Sequence, residues 1–410
     1  MQKRLLLPLI GVLSWRLSRR LIILLNGFLA KHICSAIFIS GRNLEEVKKH
    51  ELKIGLFRFP KIRVDYKRKC VSVGWRGWRV KHACYHPERG CALCSQPPAV
   101  SPALSSLTQS INLNNPGLST ALKPILKPWI ETVPSQTLAV YIMQKGEAVA
   151  EWYAPGIGRD TPLPGWSMAK SVVNALVGIL VRQGKADLHA PLPADIWQGK
   201  ADNRQHITLH HLLQMSSGLP WGERYWWDSD VTRMLFDSDD ASSIITSKPY
   251  GKVPGTYWQY ASGTTNVISK AMRYLLGKDY HHFPYRALFA PLGMHTALLE
   301  TDACGNFVAS SYMLASAADW AKFGQLYLQG GVWREERILR EGWVDYSIKP
   351  AASALQRQYG AHFWLNLGIE GQRQTRKMPD VPAEVYYASG FGGQRVFIVP
   401  SRELVIVRLV

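Results

Sequence analysis

The apolar positions change their pattern along the chain. Near the N-terminus they form two almost unbroken runs, LLLPLIGVLSW at 5–15 and LIILLNGFLAKHICSAIFIS at 21–40, separated by the charged insert RLSRR. From 136 they alternate, and QTLAVYIMQ (136–144) and GEAVAEWYA (146–154) flank Lys145 and Gly146, which predicts a β-hairpin. After the loop PGIGRDTPLPG the spacing turns helical: Met168, Val172, Ala175, Leu176 and Ile179 recur on one face, and Gly184 is a natural stop. ITLHHLLQM (207–215), NVISKAMRYLLG (266–277) and SAADWAKFGQLYLQGG (316–331) predict further helices, and QRVFIVP and ELVIVRLV close the chain as an apolar hairpin around Ser401 and Arg402. Strands at both ends of 120–410 with helices between them predict an α/β (α+β) fold, with an antiparallel sheet closed by the two ends of the segment and a helical subdomain inserted.

The run at 21–40 has the ~20-residue length of a bilayer span. Asn26, Lys31 and His32 interrupt it, and a charge at the bilayer centre costs ~2.5–3.5 kcal/mol. With no A-x-A-like cleavage site after the first run, residues 1–40 read as an uncleaved membrane anchor, the alternative being an amphipathic or re-entrant segment. Arg16, Arg19 and Arg20 before the run are balanced by Arg42, Lys48 and Lys49 after it, so charge leaves the orientation open.

A chain of 410 residues with 47% apolar and 19% charged content excludes a disordered polypeptide, a coiled coil and a disulfide miniprotein. The net charge of +19 is concentrated: residues 1–90 hold 20 Lys and Arg against 5 Asp and Glu, leaving 29 against 25 for the rest. A nearly balanced main domain gives no ground for a nucleic-acid partner, whereas a basic segment beside an apolar run fits an anionic membrane surface. Residues 41–119 therefore read as a basic arm with a Ser-, Pro- and Asn-rich linker at 95–119, leading into a main domain at 120–410. Cys34, Cys70, Cys84, Cys91 and Cys94 lie in the first 94 residues and Cys304 stands apart. HACYHPERGCALC brings His82, Cys84, His86, Cys91 and Cys94 together as a weak zinc-knuckle pattern, but one C-x-x-C without a second ligand pair favours one or two disulfides outside the cytoplasm.

Candidate chemistry centres on Ser167-Met168-Ala169-Lys170. Residues three apart on a helix share a face, so Lys170 reaches the Ser167 hydroxyl from one turn further in. A serine at a helix start also meets the positive end of the helix dipole and free N–H groups, which stabilise developing negative charge. The plain alternative is an N-cap serine followed by a surface lysine. Two further boxes argue for chemistry: Pro254-Gly255-Thr256-Tyr257-Trp258-Gln259-Tyr260-Ala261-Ser262 before a helix, and Ala388-Ser389-Gly390-Phe391-Gly392-Gly393-Gln394 before the last hairpin.

With HITLHHLLQMSSGLPW between the first two boxes, LFAPLGMHTA, and the FGQLYLQGG helix, residues 130–410 resemble the serine hydrolases of the class C β-lactamase, penicillin-binding protein and esterase superfamily, most closely its 6-aminohexanoate-dimer hydrolase and esterase branches. The resemblance implies a β-lactamase/transpeptidase-like fold, Ser167 as acylated nucleophile, Lys170 as its activator and Tyr260 as the group that takes the serine proton and delivers it to the leaving group. A phenol with an ordinary pKa near ~10 does this only if a neighbouring ammonium lowers it. It further implies an oxyanion hole from the Ser167 and Phe391 N–H groups, with Ser262, Ser389 and Gly390 lining the substrate and Tyr225 lying over it as a lid.

The third box departs from the family. β-Lactamases and peptidoglycan peptidases carry Lys or His where Ala388 stands, and without that cation a substrate carboxylate loses a charge-assisted partner. Hydrolysis of a linear amide or ester is therefore favoured over a β-lactamase or DD-peptidase activity, and over a non-catalytic binding module. In PWGERYWWDSDVTRMLF, Trp221, Tyr225, Trp226 and Trp227 cluster with Glu223, Asp228 and Asp230, which reads as an aromatic, mildly acidic mouth for an apolar acyl chain or a cationic amine, or else as core. His206, His210 and His211 make no metal pattern, and no metal or cofactor is implied. Gly165-Trp166-Ser167-Met168-Ala169 fails the G-x-S-x-G elbow at its last position, which disfavours an α/β-hydrolase. By family habit the catalytic domain faces the bacterial periplasm, and the sequence ends in a strand pattern where relatives add a helix, so either the sequence is truncated or another segment covers that sheet face.

Overall fold

The computed structural model describes residues 3–52, 60–75, 78–98, 137–197, 203–225 and 227–410. The linker reading at 95–119 lies almost wholly outside the described residues, as does Trp226.

Both N-terminal apolar runs and the insert between them form one helix, α1 (Lys3–Phe38), followed by α2 (Leu44–Glu51), whose N-cap Asn43 accepts the Glu45 N–H at 2.8 Å. The expected basic arm is an antiparallel meander of four strands, β1 (Lys61–Asp65), β2 (Cys70–Trp75), β3 (Trp78–His86) and β4 (Gly90–Cys94). Leu29, Ala30, Ile33, Cys34 and Ile37 of α1 bury against Val71, Val73, Ala83 and Cys91 of this sheet. The segment therefore has a core of its own, which its charge concealed.

The polar interruptions of the second run each find a partner inside the protein. The Asn26 amide donates to Arg79 O at 2.8 Å, and His32 pairs with Glu51. Lys31 Nζ donates to Glu300 Oε2 at 2.6 Å, and Ser35 Oγ and the Cys91 N–H donate to Glu300 Oε1 at 2.9 and 2.8 Å. Helix, meander and main domain thus meet at one buried carboxylate. Gly27 passes the Phe236 carbonyl so closely that a Cβ would lie 1.9 Å from its oxygen, so only glycine fits there. By length and composition Arg19–Phe38 can cross a membrane, and 56% of that stretch is buried inside the protein.

A disulfide joins Cys70 to Cys84 on facing positions of β2 and β3. Cys34 and Cys91 are buried and unpaired, the Cys94 thiol donates to Cys84 Sγ at 3.3 Å, and Cys304 is exposed. Among the described residues no group of three or more His, Cys, Asp or Glu is gathered as a metal site, so the zinc-knuckle residues are not brought together as ligands.

The main sheet has six antiparallel strands in the order β7 (Trp364–Leu365), β8 (Tyr386–Ser389), β9 (Arg395–Val399), β10 (Leu404–Leu409), β5 (Ala139–Gln144), β6 (Glu147–Tyr153). The expected closure is present: β10 pairs with β5 from Leu404↔Gln144 to Leu409↔Ala139. Helices α3 (Ala169–Arg182), α4 (Asp230–Phe236), α5 (Ser262–Leu276) and α6 (Ala317–Leu328) are among those packed around it, with α6 laid on the sheet so that Gly324 abuts Val405 and Val396. The opposite sheet face carries a smaller cluster of Val140, Ile142 and Ala150 with Trp152, Leu404 and Ile406.

Replacing Lys31 with Met leaves Glu300 charged and buried with two neutral donors, and removal of one member of such a pair typically costs ~3–5 kcal/mol. Urea unfolding of Lys31→Met is expected to show a loss of this size, largely recovered in the Lys31→Met/Glu300→Leu double variant. A wild-type midpoint for the single variant would show that the pair does not hold the two parts together.

Candidate active site

Ser167 sits in a tight turn, Trp166–Met168, that runs directly into α3. Trp166 has φ +50°, a left-handed conformation that costs a bulky residue ~1–3 kcal/mol. The strain is held from several sides. The Gly165 N–H donates to Met313 O at 2.8 Å, and the indole packs against Phe391 at 5.5 Å and against Phe28 of α1 at 6.3 Å between ring centroids. The N-terminal helix therefore backs the turn that presents Ser167.

One helical turn on, Lys170 is 1% exposed. Its Nζ donates to Ser167 Oγ at 2.9 Å, Ser262 Oγ at 3.0 Å and Ser310 O at 2.9 Å, and lies 4.9 Å from the centre of the Tyr260 ring. Burial pulls the Lys170 pKa down to about 8, against the opposing pull of the Glu223 carboxylate. The hydroxyls of Tyr260 and Tyr225 both interact with Ser167, so the lysine and the two tyrosines converge on one oxygen. Tyr225 also stacks on Phe391 at 4.9 Å and 27°. Tyr260 stacks on Trp364 at 5.4 Å and meets Tyr359 edge-on.

Tyr260 differs from the expectation in one respect. Burial raises its pKa, Glu223 raises it further, and the hydrogen bond to Ser167 only partly opposes them, so near neutral pH it is a phenol and not a phenolate. Ser262 also departs from its expected place at the substrate wall. It is 0% exposed, and its hydroxyl accepts from Lys170 and donates to Glu223 Oε1 at 2.5 Å.

The third box lies against the nucleophile turn. Gly390 passes Gly165 so closely that a Cβ would sit 2.2 Å from the Gly165 carbonyl oxygen, which brings Phe391 beside Ser167. Ser389, half-buried, pairs with Arg395 across β8 and β9, whereas Ala388 is buried in the core under the sheet. The acidic-mouth expectation is not met. Asp228 pairs with Arg20 and Arg233, and Asp230 pairs with Lys248. Glu223 accepts from the Ser262 N–H and hydroxyl, the Trp221 indole and the Tyr225 hydroxyl. Trp221 is core and Trp227 is 59% exposed.

Sequence reasoning missed two contributors. Glu223 was legible only as an acid in a loop, and His362 as one histidine among twelve. His362 is buried, donates from Nδ1 to Lys170 O at 2.8 Å and accepts from Thr265 Oγ1 at 3.2 Å. Burial, with the nearby Lys170, depresses its pKa to about 3, so it stays neutral and pins the lysine backbone.

Fold and family together define a serine hydrolase of the amide- and ester-cleaving kind. The chain belongs to the beta-lactamase family, whose sequence pattern matches residues 129–410. It is 25% identical over 287 residues to a 6-aminohexanoate-dimer hydrolase of Paenarthrobacter ureafaciens, covering 67% of this chain and 72% of that protein. A solved structure from Bacillus anthracis, described as a 6-aminohexanoate-dimer hydrolase, superposes with a TM-score of 0.58 at 20% identity over 73% of this chain and 79% of its own. A family VIII carboxylesterase superposes at 0.54 with 14% identity over 73% and 92% of the two chains.

A base must be neutral to accept a proton, and Lys170 is neutral only above about pH 8. The rate constant kcat/KM on a p-nitrophenyl ester is therefore expected to climb with pH and level off above about 8. A profile flat through this range would remove Lys170 from the role of base.

Proposed function

We propose that this protein is a membrane-anchored serine hydrolase that cleaves a linear amide or ester through an acyl-enzyme on Ser167. The observation that carries the reading is the buried Lys170 amine, its pKa lowered, in hydrogen-bond contact with Ser167 Oγ at 2.9 Å. Neutral Lys170 takes the Ser167 proton as Oγ attacks the substrate carbonyl carbon. The carbonyl π pair moves onto oxygen, where the Ser167 and Phe391 N–H groups receive it, each donor being worth ~2.7–4 kcal/mol. Collapse restores the carbonyl and breaks the bond to the leaving nitrogen or oxygen, which recovers the serine's proton through the Tyr260 hydroxyl. Water repeats the sequence on the acyl-enzyme, giving the free acid and Ser167.

Ala388 supports a substrate without a free carboxylate beside the scissile bond. It is a buried methyl where β-lactam- and D-Ala-D-Ala-cleaving relatives place a cation. Tyr225 over Phe391, with Ser389 and Gly390 at the strand end, forms the surface against which the acyl group lies.

Intact mass spectrometry of the full chain tests this after incubation with a fluorophosphonate, short p-nitrophenyl esters or penicillin, beside Ser167→Ala. Adducts at Ser167 from phosphonate and ester but not from penicillin are expected. A stable penicilloyl adduct would move the activity to the β-lactamase or DD-peptidase class. No adduct on the folded protein would leave a binding module.

The membrane part of the proposal falls on the half of α1 before Asn26, since the residues after it face protein partners. LLLPLIGVLSW, followed by Arg16, joins an apolar segment to a basic residue suited to anionic headgroups, while Arg20 is paired with Asp228. The Cys70–Cys84 disulfide fits an oxidising compartment such as the periplasm. Deleting residues 1–18 should release the protein from washed membranes with its esterase activity intact; continued membrane retention would place the attachment elsewhere.

A further inference from the structure

Resting on the hydrolase reading, we propose that Glu223 is a positioning residue for the reaction: acting through Ser262, it fixes the direction of the hydrogen bonds around Lys170 so that the lone pair of the neutral amine faces Ser167 Oγ.

Hydrogen-bond polarity sets the arrangement. Glu223 stands in the loop before α4, and its carboxylate has no proton to give. It is met by four donors: the Ser262 hydroxyl at 2.5 Å and the Tyr225 hydroxyl at 3.3 Å on Oε1, and the Ser262 N–H at 2.9 Å and the Trp221 indole N–H at 2.5 Å on Oε2. Ser262 has a single hydroxyl hydrogen. With that hydrogen committed to Glu223, Ser262 Oγ can only accept from Lys170 Nζ at 3.0 Å. Ser310 O, at 2.9 Å on another side of the same nitrogen, is a carbonyl and likewise can only accept.

A protonated Lys170 satisfies all three of its neighbours. A neutral one has two hydrogens, and both are claimed by Ser262 and Ser310. The lone pair is left for the third neighbour, Ser167 Oγ at 2.9 Å, whose hydroxyl can reverse and donate. The deprotonated amine is thereby aimed at the one proton the reaction needs moved. Without Glu223 the Ser262 hydroxyl is free to rotate and donate to Lys170 itself, and the base is then occupied by the wrong serine. The same carboxylate favours the ammonium electrostatically, which gives the arrangement a second signature in the pH dependence.

The test measures the rate of Ser167 labelling by a fluorophosphonate in the full-length protein across a pH series, a readout independent of the natural substrate. Glu223→Gln is expected to lower the plateau rate on the order of 10²-fold, the scale of a general-base contribution. It should also move the midpoint of the profile to lower pH, because the charge that favours the ammonium is gone. Glu223→Asp, which keeps the charge, should keep the wild-type midpoint. Should Glu223→Gln not fold, Ser262→Ala carries the same expected loss of plateau rate. Where both fold, the double variant should be no slower than either single one, since the two act as one unit. A folded Glu223→Gln protein labelled at the wild-type rate with an unmoved midpoint, or a Ser262→Ala protein at the wild-type rate, would overturn the proposal. Absence of labelling in the wild-type protein would instead refute the hydrolase reading beneath it.

Discussion

The arrangement around Ser167 follows from the cost of keeping a lysine amine out of water. A buried ammonium is tolerated only with its hydrogens matched to acceptors, and Lys170 has three acceptors drawn from three parts of the chain. The helix start supplies Ser167, the start of α5 supplies Ser262, and the segment before Met313 supplies the Ser310 carbonyl. Each must be in register for the others to be satisfied, so the site is assembled by the same requirement that makes its lysine a weaker base than usual. His362 completes the constraint from behind by holding the Lys170 carbonyl.

A second constraint acts one residue before Ser167. The left-handed Trp166 is wedged between Phe391 and Phe28 of α1, so two parts of the molecule that look unrelated in sequence share one side chain. The N-terminal segment matches none of the family pattern, which starts at 129, yet it closes over Glu300 and packs behind Trp166. In this protein the family domain and its appendage form one packed unit.

Much of the fold was legible because its signals are local. Alternation marked β5 and β6, helical spacing marked α3, and the apolar hairpin after Gln394 marked the strands that close the sheet. The Ser167–Lys170 contact was legible for the same reason, since three-residue spacing on a helix fixes which side chains face each other. What escaped depends on side-chain direction across loops. Glu223 shares its loop with Asp228 and Asp230, and nothing in their spacing says that one serves Ser262 while the others meet Arg233 and Lys248. Lys31 looked like a defect in a membrane span because its partner, Glu300, is far along the chain. The charge of residues 41–94 read as a solvated arm because the alternation in its short strands is too brief to outweigh so many lysines and arginines. Ser262 was assigned to the substrate wall by its box, but its burial commits it to the lysine.

The closure of the main sheet also sets when the fold can be completed during synthesis. β5 is made early, yet its neighbour on one side is β10, and the Leu138 N–H is bonded to Leu409 O. While the ribosome is still working through the region between them, β5 has only β6 beside it, and the loop carrying Phe391 has not yet been made. Pairings this distant in sequence form slowly and late. A nascent chain therefore lacks the Phe391 side of the Ser167 turn through most of its translation, and its main sheet closes only after the strand at 404–409 has emerged.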